Sequence, residues 1–326
     1  MNNGKQKTSL PLIFAISALV IFLVFLLINK TAVVDTFKGF GYNPTPEMAT
    51  VKQSLELTAD GERIFNATRP LLASSEDFNY SCESHDEEVS VLGCYTGDRI
   101  YVYNVSDTKL SGIRESTSAH ELLHAVWNRL PGVEKSALIP LLESFYSKNP
   151  DLKETIDAYA ESERLDELYV RVGTQIADLS TELESHYSRY FKDQDKIVSF
   201  YTAYITPFNE LKTEIESLKS ELDALEKEIN EKSAALDARA AAFDAAVSEF
   251  NNCANTAGCF TSNAAFASRR AELVAEQQAI NSDNSSLNSL IDAYNKKVET
   301  YNSSVVRSSE LQSLINSNST ESKIEE

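Results

Sequence analysis

Basic residues are scarce in this chain. Its 30 lysine and arginine residues stand against 49 aspartate and glutamate residues, for a formal net charge of −19 over 326 residues. Nucleic acids and anionic membrane surfaces attract proteins with an excess of positive charge. The composition therefore argues against either as the principal partner, and we expect no nucleic acid. The length allows one or two domains.

Cysteine is also rare, and no two cysteines have the C-x-x-C spacing that is typical of structural zinc sites. The four cysteines form two close pairs, Cys82/Cys94 and Cys253/Cys259. An even number in local pairs favours two disulfides and hence an oxidising compartment. Free thiols in a cytosolic protein are the alternative interpretation.

The only long apolar run is Leu10–Ile28, which Lys5 and Lys7 precede. As a helix, this run would extend about 28 Å, close to the thickness of the bilayer hydrocarbon. No small-residue cleavage site follows Ile28. We therefore predict an uncleaved transmembrane signal anchor at 1–30. The expected topology is a single pass through the cell membrane, with the bulk of the chain extracytoplasmic.

Residues 31–50 contain two glycines and two prolines and are interpreted as a linker. Residues 51–203 are expected to form one domain with a mostly α fold of the α+β class. Its sheet is predicted to be short and antiparallel, with strands at Val89–Tyr95 and Arg99–Val105 around a Thr-Gly-Asp turn. A helix capped by Ser116 or Thr117 should follow. Further helices are predicted at 133–147, 151–172 and 180–203.

Residues 204–316 differ in kind, because apolar residues repeat there at alternating steps of four and three. This spacing predicts a coiled coil, in which two long helices fold back as an antiparallel hairpin. The Cys253–Cys259 pair would then lie at the tip. The hairpin is a possible site for a protein partner. Residues 317–326 are predicted to be a disordered tail.

The clearest chemical signal is the H-E-x-x-H pattern of His120, Glu121 and His124. On a helix, positions i and i+4 lie on one face, so both imidazoles can reach one tetrahedral Zn²⁺. Glu121 would then act as the general base that takes a proton from the water that the metal activates. An amphipathic helix with two surface histidines is the alternative interpretation.

Through this motif the chain resembles the zincin metallopeptidases. No third histidine follows at the metzincin spacing, so the resemblance implies a carboxylate ligand from a later helix, as in gluzincins. Glu167 is the preferred candidate, because Asp166 and Glu167 look like the Asn-Glu pair of that branch with Asp in place of Asn. Glu163 lies four residues earlier and is the alternative ligand.

The resemblance also implies an antiparallel edge strand that lies above the motif helix and binds a peptide by strand addition. The Arg99–Val105 strand is the candidate. A zincin further needs a group that stabilises the oxyanion. Tyr187, His186 and Tyr190 follow the ligand helix and are candidates for that role.

Two functions compete. In the first, the chain is a membrane-anchored extracytoplasmic zinc metallopeptidase whose substrate is a peptide or protein. In the second, it is a non-catalytic envelope scaffold or adaptor that works through its coiled coil, and its zinc domain is structural or vestigial. Glu121 favours the enzyme, because a structural site needs no general base.

Overall fold

The computed structural model describes residues 30–82 and 92–317, together with Phe14, Ala15, Ser17 and Leu19. Apart from these four residues, the predicted anchor Leu10–Ile28 lies outside the described part of the chain, as do residues 318–326 of the predicted tail. Within the described part, no helix is both long and apolar enough to cross a bilayer.

The described residues are mostly helical, at 77%, with one small sheet and two long C-terminal helices. The chain divides into two compact units: Met1–Pro207 with Gln312–Glu326, and Phe208–Leu311. In chain order the elements are α1 (Lys30–Gly39), α2 (Pro46–Ser54), α3 (Ala59–Thr68), β1 (Leu71–Ala73), α4 (Ser75–Ser81), β2 (Gly93–Thr96), β3 (Arg99–Tyr103), α5 (Ile113–Arg129), α6 (Gly132–Lys148), α7 (Pro150–Asp157), α8 (Arg164–Gln175), α9 (Thr181–Tyr187), α10 (Gln194–Ala254) and α11 (Asn263–Ile315).

The sheet has three strands in the order β1-β3-β2, and it is mixed. β2 pairs with β3 antiparallel, as predicted, whereas β1 pairs with β3 parallel. The prediction of a purely antiparallel sheet is therefore wrong. The cause is β1, because a strand of three residues is too short to show the alternation that identifies strands in a sequence. β3 consequently lies in the middle of the sheet and β2 at an edge.

The motif helix α5 begins at Ile113, four or five residues earlier than a cap at Ser116 or Thr117 predicts. Gly112 is its N-cap, in a left-handed conformation (φ 90°), and neither Ser116 nor Thr117 caps the helix. Both lie buried within it. A Cβ at Gly112 would come within 2.7 Å of the carbonyl oxygen of Phe200. Glycine is therefore needed at this helix start both for the backbone conformation and for the close approach.

The predicted helix at 151–172 is two helices, α7 and α8, separated by residues 158–163. The guanidinium of Arg164 donates to the carbonyl oxygens of Tyr159 (2.9 Å) and Asp157 (2.8 Å). It thereby satisfies carbonyl groups that a helix end leaves without partners. The prediction of a helix at 180–203 fails similarly, because α9 ends at Tyr187 and α10 begins at Gln194.

The interpretation of 31–50 as a linker is also wrong, since α1 and the start of α2 occupy it. Asp35 of α1 is buried, and both its carboxylate oxygens lie 3.0 Å from Nε of Arg129 at the C-terminal end of α5. The same guanidinium donates to Asp98 (2.7 Å) and to the hydroxyl of Tyr95 (2.9 Å) in the β2–β3 hairpin. This network ties α1, the motif helix and the hairpin together.

The core of the first unit lies around α5, which packs against β2, β3 and α8. Trp127 of α5 and Tyr169 of α8 have ring centroids 4.8 Å apart, and Tyr187 of α9 lies 5.3 Å beyond Tyr169. Gly173 of α8 allows this packing, because a Cβ there would approach Tyr187 and Leu123 to about 2.5–2.6 Å. The two helices that carry the motif histidines and Glu167 are thus held side by side.

In the second unit α10 and α11 run antiparallel, as the ion pairs between them show. Arg239 pairs with Glu276 and Asp283, and Glu221, earlier in α10, pairs with Lys297, later in α11. The predicted disulfide Cys253–Cys259 is present, and it joins the end of α10 to the loop before α11. The second predicted disulfide, Cys82–Cys94, is present in the first unit.

Candidate metal centre

Three predicted site residues converge between α5 and α8. Nε2 of His120 lies 3.2 Å from Nε2 of His124, one helical turn later. The carboxylate of Glu167 reaches across from α8, with Oε1 3.6 Å from His120 Nε2 and Oε2 3.4 Å from His124 Nε2. Glu163, the alternative ligand, is exposed at the start of α8 and is not part of this group.

These distances fit a metal ion. Nitrogen and oxygen ligands about 2.0–2.1 Å from a tetrahedral Zn²⁺ lie about 3.3–3.4 Å from one another. The three measured separations, 3.2, 3.4 and 3.6 Å, lie around that value. Two imidazoles and one carboxylate are also a donor set that zinc accepts. The arrangement therefore fits zinc in both spacing and chemistry.

Asp166 gives His124 a fixed orientation. Its Oδ1 lies 2.9 Å from Nδ1 of His124, the ring nitrogen that does not face the group. Metal-binding histidines commonly have such a carboxylate on the second nitrogen, and it determines which nitrogen faces the metal. In the sequence Asp166 stood out only as a departure from the gluzincin pattern. In the structure Asp166 lies beside Nδ1 of His124, on the side of the ring away from His120 and Glu167.

Glu167 is buried and ionised. Burial alone would raise the pKa of its carboxyl group, but the charge of His120, the hydrogen bond from His124 and the charge of Arg171 hold that pKa well below its usual range. Nε of Arg171 lies 2.7 Å from Oε1. These two atoms form an ion pair without a hydrogen bond, and within the described residues Oε1 has no hydrogen-bond partner. Its lone pairs are therefore available to a ligand within the site.

The two histidines have opposite protonation preferences. Burial lowers the pKa of His120, although the charge of Glu167 opposes that shift. Burial would also lower the pKa of His124, but hydrogen bonds to Asp166 and Glu167 raise it. A cation bound between the three groups would take the place of the proton that His124 otherwise holds.

Arg171 is a site residue that sequence reasoning missed. It follows Glu167 by one turn of α8, and its Nη2 donates to the hydroxyl of Tyr159 at 2.7 Å. Tyr159 lies in the segment between α7 and α8, which was expected to be continuous helix. The only sequence signal for Arg171 was its position four residues after Glu167. This spacing of opposite charges is also common on solvated helices, so it did not mark Arg171 as a site residue.

The general-base candidate Glu121 is buried, with 4% of its surface exposed. Its carboxylate is near enough to His124 to raise the pKa of that histidine by its charge. Gly93 of β2 lies directly against it: a Cβ at Gly93 would come within 2.7 Å of Oε1 of Glu121 and 2.6 Å of a methyl group of Thr117. The absence of a side chain at position 93 therefore makes room for the carboxylate.

β2, and not β3, is the strand beside Glu121 at the sheet edge. The expectation that Arg99–Val105 serves as the substrate-binding edge strand is wrong, because β3 pairs with a strand on each side. Its backbone groups are already used in the sheet, so it cannot accept a further strand. Cys94, next to Gly93, forms the disulfide with Cys82 at the end of α4, which tethers this edge strand.

The oxyanion candidates make contacts inside the fold. The hydroxyl of Tyr187 is buried and donates to the carbonyl oxygen of Tyr169 at 2.7 Å. His186 hydrogen-bonds through Nε2 to the hydroxyl of Tyr169 (2.9 Å), and burial lowers the pKa of His186 to about 4. Tyr190 is also buried, with its ring against His186. The contacts of these three residues indicate a packing role.

No protein-family model matches the chain, and neither a curated protein nor a solved structure shows significant similarity to it. Function must therefore be inferred from the site itself.

Proposed function

We propose that this chain is a membrane-anchored, extracytoplasmic zinc metallopeptidase. The observation that carries the proposal is the convergence of His120, His124 and Glu167 at the spacing of zinc ligands, with the buried carboxylate of Glu121 beside them. A structural zinc site normally has four protein ligands and needs no general base, whereas this group has three ligands and a buried acid beside them.

The residues of the site have distinct roles in this proposal. His120, His124 and Glu167 hold the metal, and Asp166 orients His124. Zinc, when bound, supplies Lewis acidity that polarises a carbonyl group and makes water more acidic. Glu121 takes a proton from the attacking water and delivers it to the leaving amine. The low exposure of Glu121 and Glu167 keeps bulk water away from these charges, which strengthens their interactions.

A peptide is the substrate class that the neighbouring strand favours. Of the described strands, β2 pairs only with β3, so one edge of β2 has no strand partner there. An extended peptide can add to such an edge through main-chain hydrogen bonds. Because Gly93 lies against Glu121, a peptide on this edge would pass close to the general base.

The two disulfides support an extracytoplasmic location, because such bonds persist in oxidising compartments. The apolar run Leu10–Ile28 is the proposed anchor. The paired helices α10 and α11 are proposed to bind a protein partner. Partition of the full chain into the membrane fraction after carbonate washing would test the anchor separately from the chemistry.

Zinc content is the experiment that tests the proposed site. Full-length protein purified in detergent is expected to retain a stoichiometric amount of zinc, and His124→Ala and Glu167→Ala are each expected to lose it. Loss of one ligand from a three-residue site leaves too few donors to hold the ion. Metal analysis together with hydrolysis of a peptide library gives both readouts.

Glu163→Ala is the matched control, since it removes an exposed carboxylate four residues before Glu167, at the N-cap of the same helix. It should keep zinc and activity. A folded wild-type chain that takes up no zinc would contradict the proposal, as would a Glu167→Ala variant that binds zinc as tightly as the wild type.

The disulfides offer a second comparison. Replacing both Cys82 and Cys94 by serine is expected to lower the free energy of unfolding by about 2–4 kcal/mol and to slow hydrolysis, because the strand beside Glu121 loses its tether. The corresponding double replacement of Cys253 and Cys259 alters only the second unit and should leave hydrolysis unchanged. Equal activity in the two variants would show that the tether does not support the site.

A further inference from the structure

Apolar side chains lie uncovered on α1 and the turn that follows it. Val34, Phe37 and Phe40 are 42%, 78% and 84% exposed, and we call them the α1 face. At about 100° per residue, Phe37 lies about 160° around the helix from Asp35. Asp35 is buried against Arg129 on the other side. The helix is therefore attached to the domain by one side and presents the ring of Phe37 on the opposite side, and the exposed ring of Phe40 follows in the turn.

Basic side chains surround the α1 face, although the chain as a whole is acidic. The guanidinium of Arg69 donates to the carbonyl oxygens of Lys38 (3.1 Å) and Phe40 (3.4 Å). Nε of Arg99 donates to the carbonyl oxygen of Arg69 at 3.3 Å. Lys38, Arg69 and Arg99 are all exposed. The ammonium of Lys38 pairs with Asp98, so the positive charge beside the α1 face comes from Arg69 and Arg99, although the chain has a net charge of −19.

The position of α1 in the chain indicates what covers this face. α1 begins at Lys30, two residues after the apolar run Leu10–Ile28 ends. A helix rises only about 1.5 Å per residue, so the α1 face follows the end of that run closely. Exposed phenylalanine rings beside lysine and arginine are typical of helices that lie at the boundary between hydrocarbon and lipid headgroups.

We propose that the α1 face is a membrane-docking surface: Phe37 and Phe40 enter the interfacial layer of the bilayer while Arg69 and Arg99 contact lipid headgroups. This inference rests on the membrane part of the proposed function and goes beyond the anchor, because it assigns a lipid contact to the folded domain. One side of α1 would then contact the membrane, while Asp35 on its other side binds Arg129 of the motif helix. Together these two contacts would set the orientation of the motif helix relative to the membrane.

A tryptophan probe tests the docking in the full chain. Phe37→Trp protein is reconstituted in vesicles of phosphatidylcholine and phosphatidylglycerol, with and without phosphatidylcholine brominated near the headgroup end of its acyl chains. The unsubstituted chain gives the baseline from the buried Trp127. Emission from the introduced indole is expected to shift to shorter wavelength and to lose more than half its intensity in the brominated vesicles. Adding Phe40→Ser should reduce that quenching.

Val133→Trp is the matched control. Val133 is 80% exposed, about as much as Phe37, but it lies on α6. Its emission should not respond to bromine. Equal quenching at the two positions would overturn the proposal. A blue shift in the Phe37→Trp protein that bromine does not quench would also overturn it, because a protein would then cover the face. Zinc content and hydrolysis of the same preparations show whether the proposed enzyme stands when the docking fails.

Discussion

Glu121→Gln is expected to retain zinc and to lose hydrolysis. Glutamine matches the shape of glutamate but cannot accept a proton from water, and general-base catalysis contributes about 10²–10⁴-fold to a rate. None of the three metal-facing side chains changes. The kcat for a cleaved peptide should therefore fall by that factor while metal content stays at the wild-type level.

Glu115→Gln is the control for this variant, because it neutralises a glutamate on the same helix, more than two turns before His124 and outside the ligand group. Its kcat should equal that of the wild type. Should Glu121→Gln hydrolyse peptides at the wild-type rate, Glu121 would not be the base. A zinc domain without catalysis would then be the better interpretation.

Gly93→Ala is expected to be almost as damaging, although position 93 carries no reactive group. The added Cβ would lie 2.7 Å from Oε1 of Glu121 and 2.6 Å from the methyl group of Thr117, so the carboxylate or the strand has to move. Misplacing a catalytic group by about 1 Å costs on the order of 10²-fold in rate. The expected result is a loss of that size in kcat with zinc content preserved.

Gly132→Ala separates this effect from a general response to an added methyl group. Gly132 starts α6, and a Cβ there meets no atom within 4 Å. The variant should have wild-type kcat and a slightly higher melting temperature, because alanine favours a helix over glycine. If Gly93→Ala had wild-type kcat as well, β2 would not confine Glu121 in the active protein.

Predictions from the sequence succeeded where the determining interactions are local. Heptad spacing depends on residues three and four apart, and it correctly indicated two long antiparallel helices. The cysteine pairs were predicted from their short separations, and both disulfides are present. His120 and His124 share a helix face for the same local reason.

Contacts of individual side chains, some local and some distant, decided what the periodicity of the sequence could not show. The break between α7 and α8 depends on Arg164 reaching back to two carbonyl groups, a contact that no periodicity reveals. The segment 31–50 resembled a linker because its glycines and prolines are helix breakers locally. Only the distant partner Arg129 shows why α1 is packed against the domain.

The sequence by itself predicted that the two histidines share a helix face, which acid is the candidate base, how the cysteines pair, and that two long helices pair. Each of these predictions rests on residues at short spacings in the chain. Only the tertiary structure decided that Glu167 rather than Glu163 faces the histidines, that Asp166 orients His124, and that the edge strand is β2. Those outcomes depend on which side of α8 and which strand pack against α5. That packing is set by residues far apart in the chain.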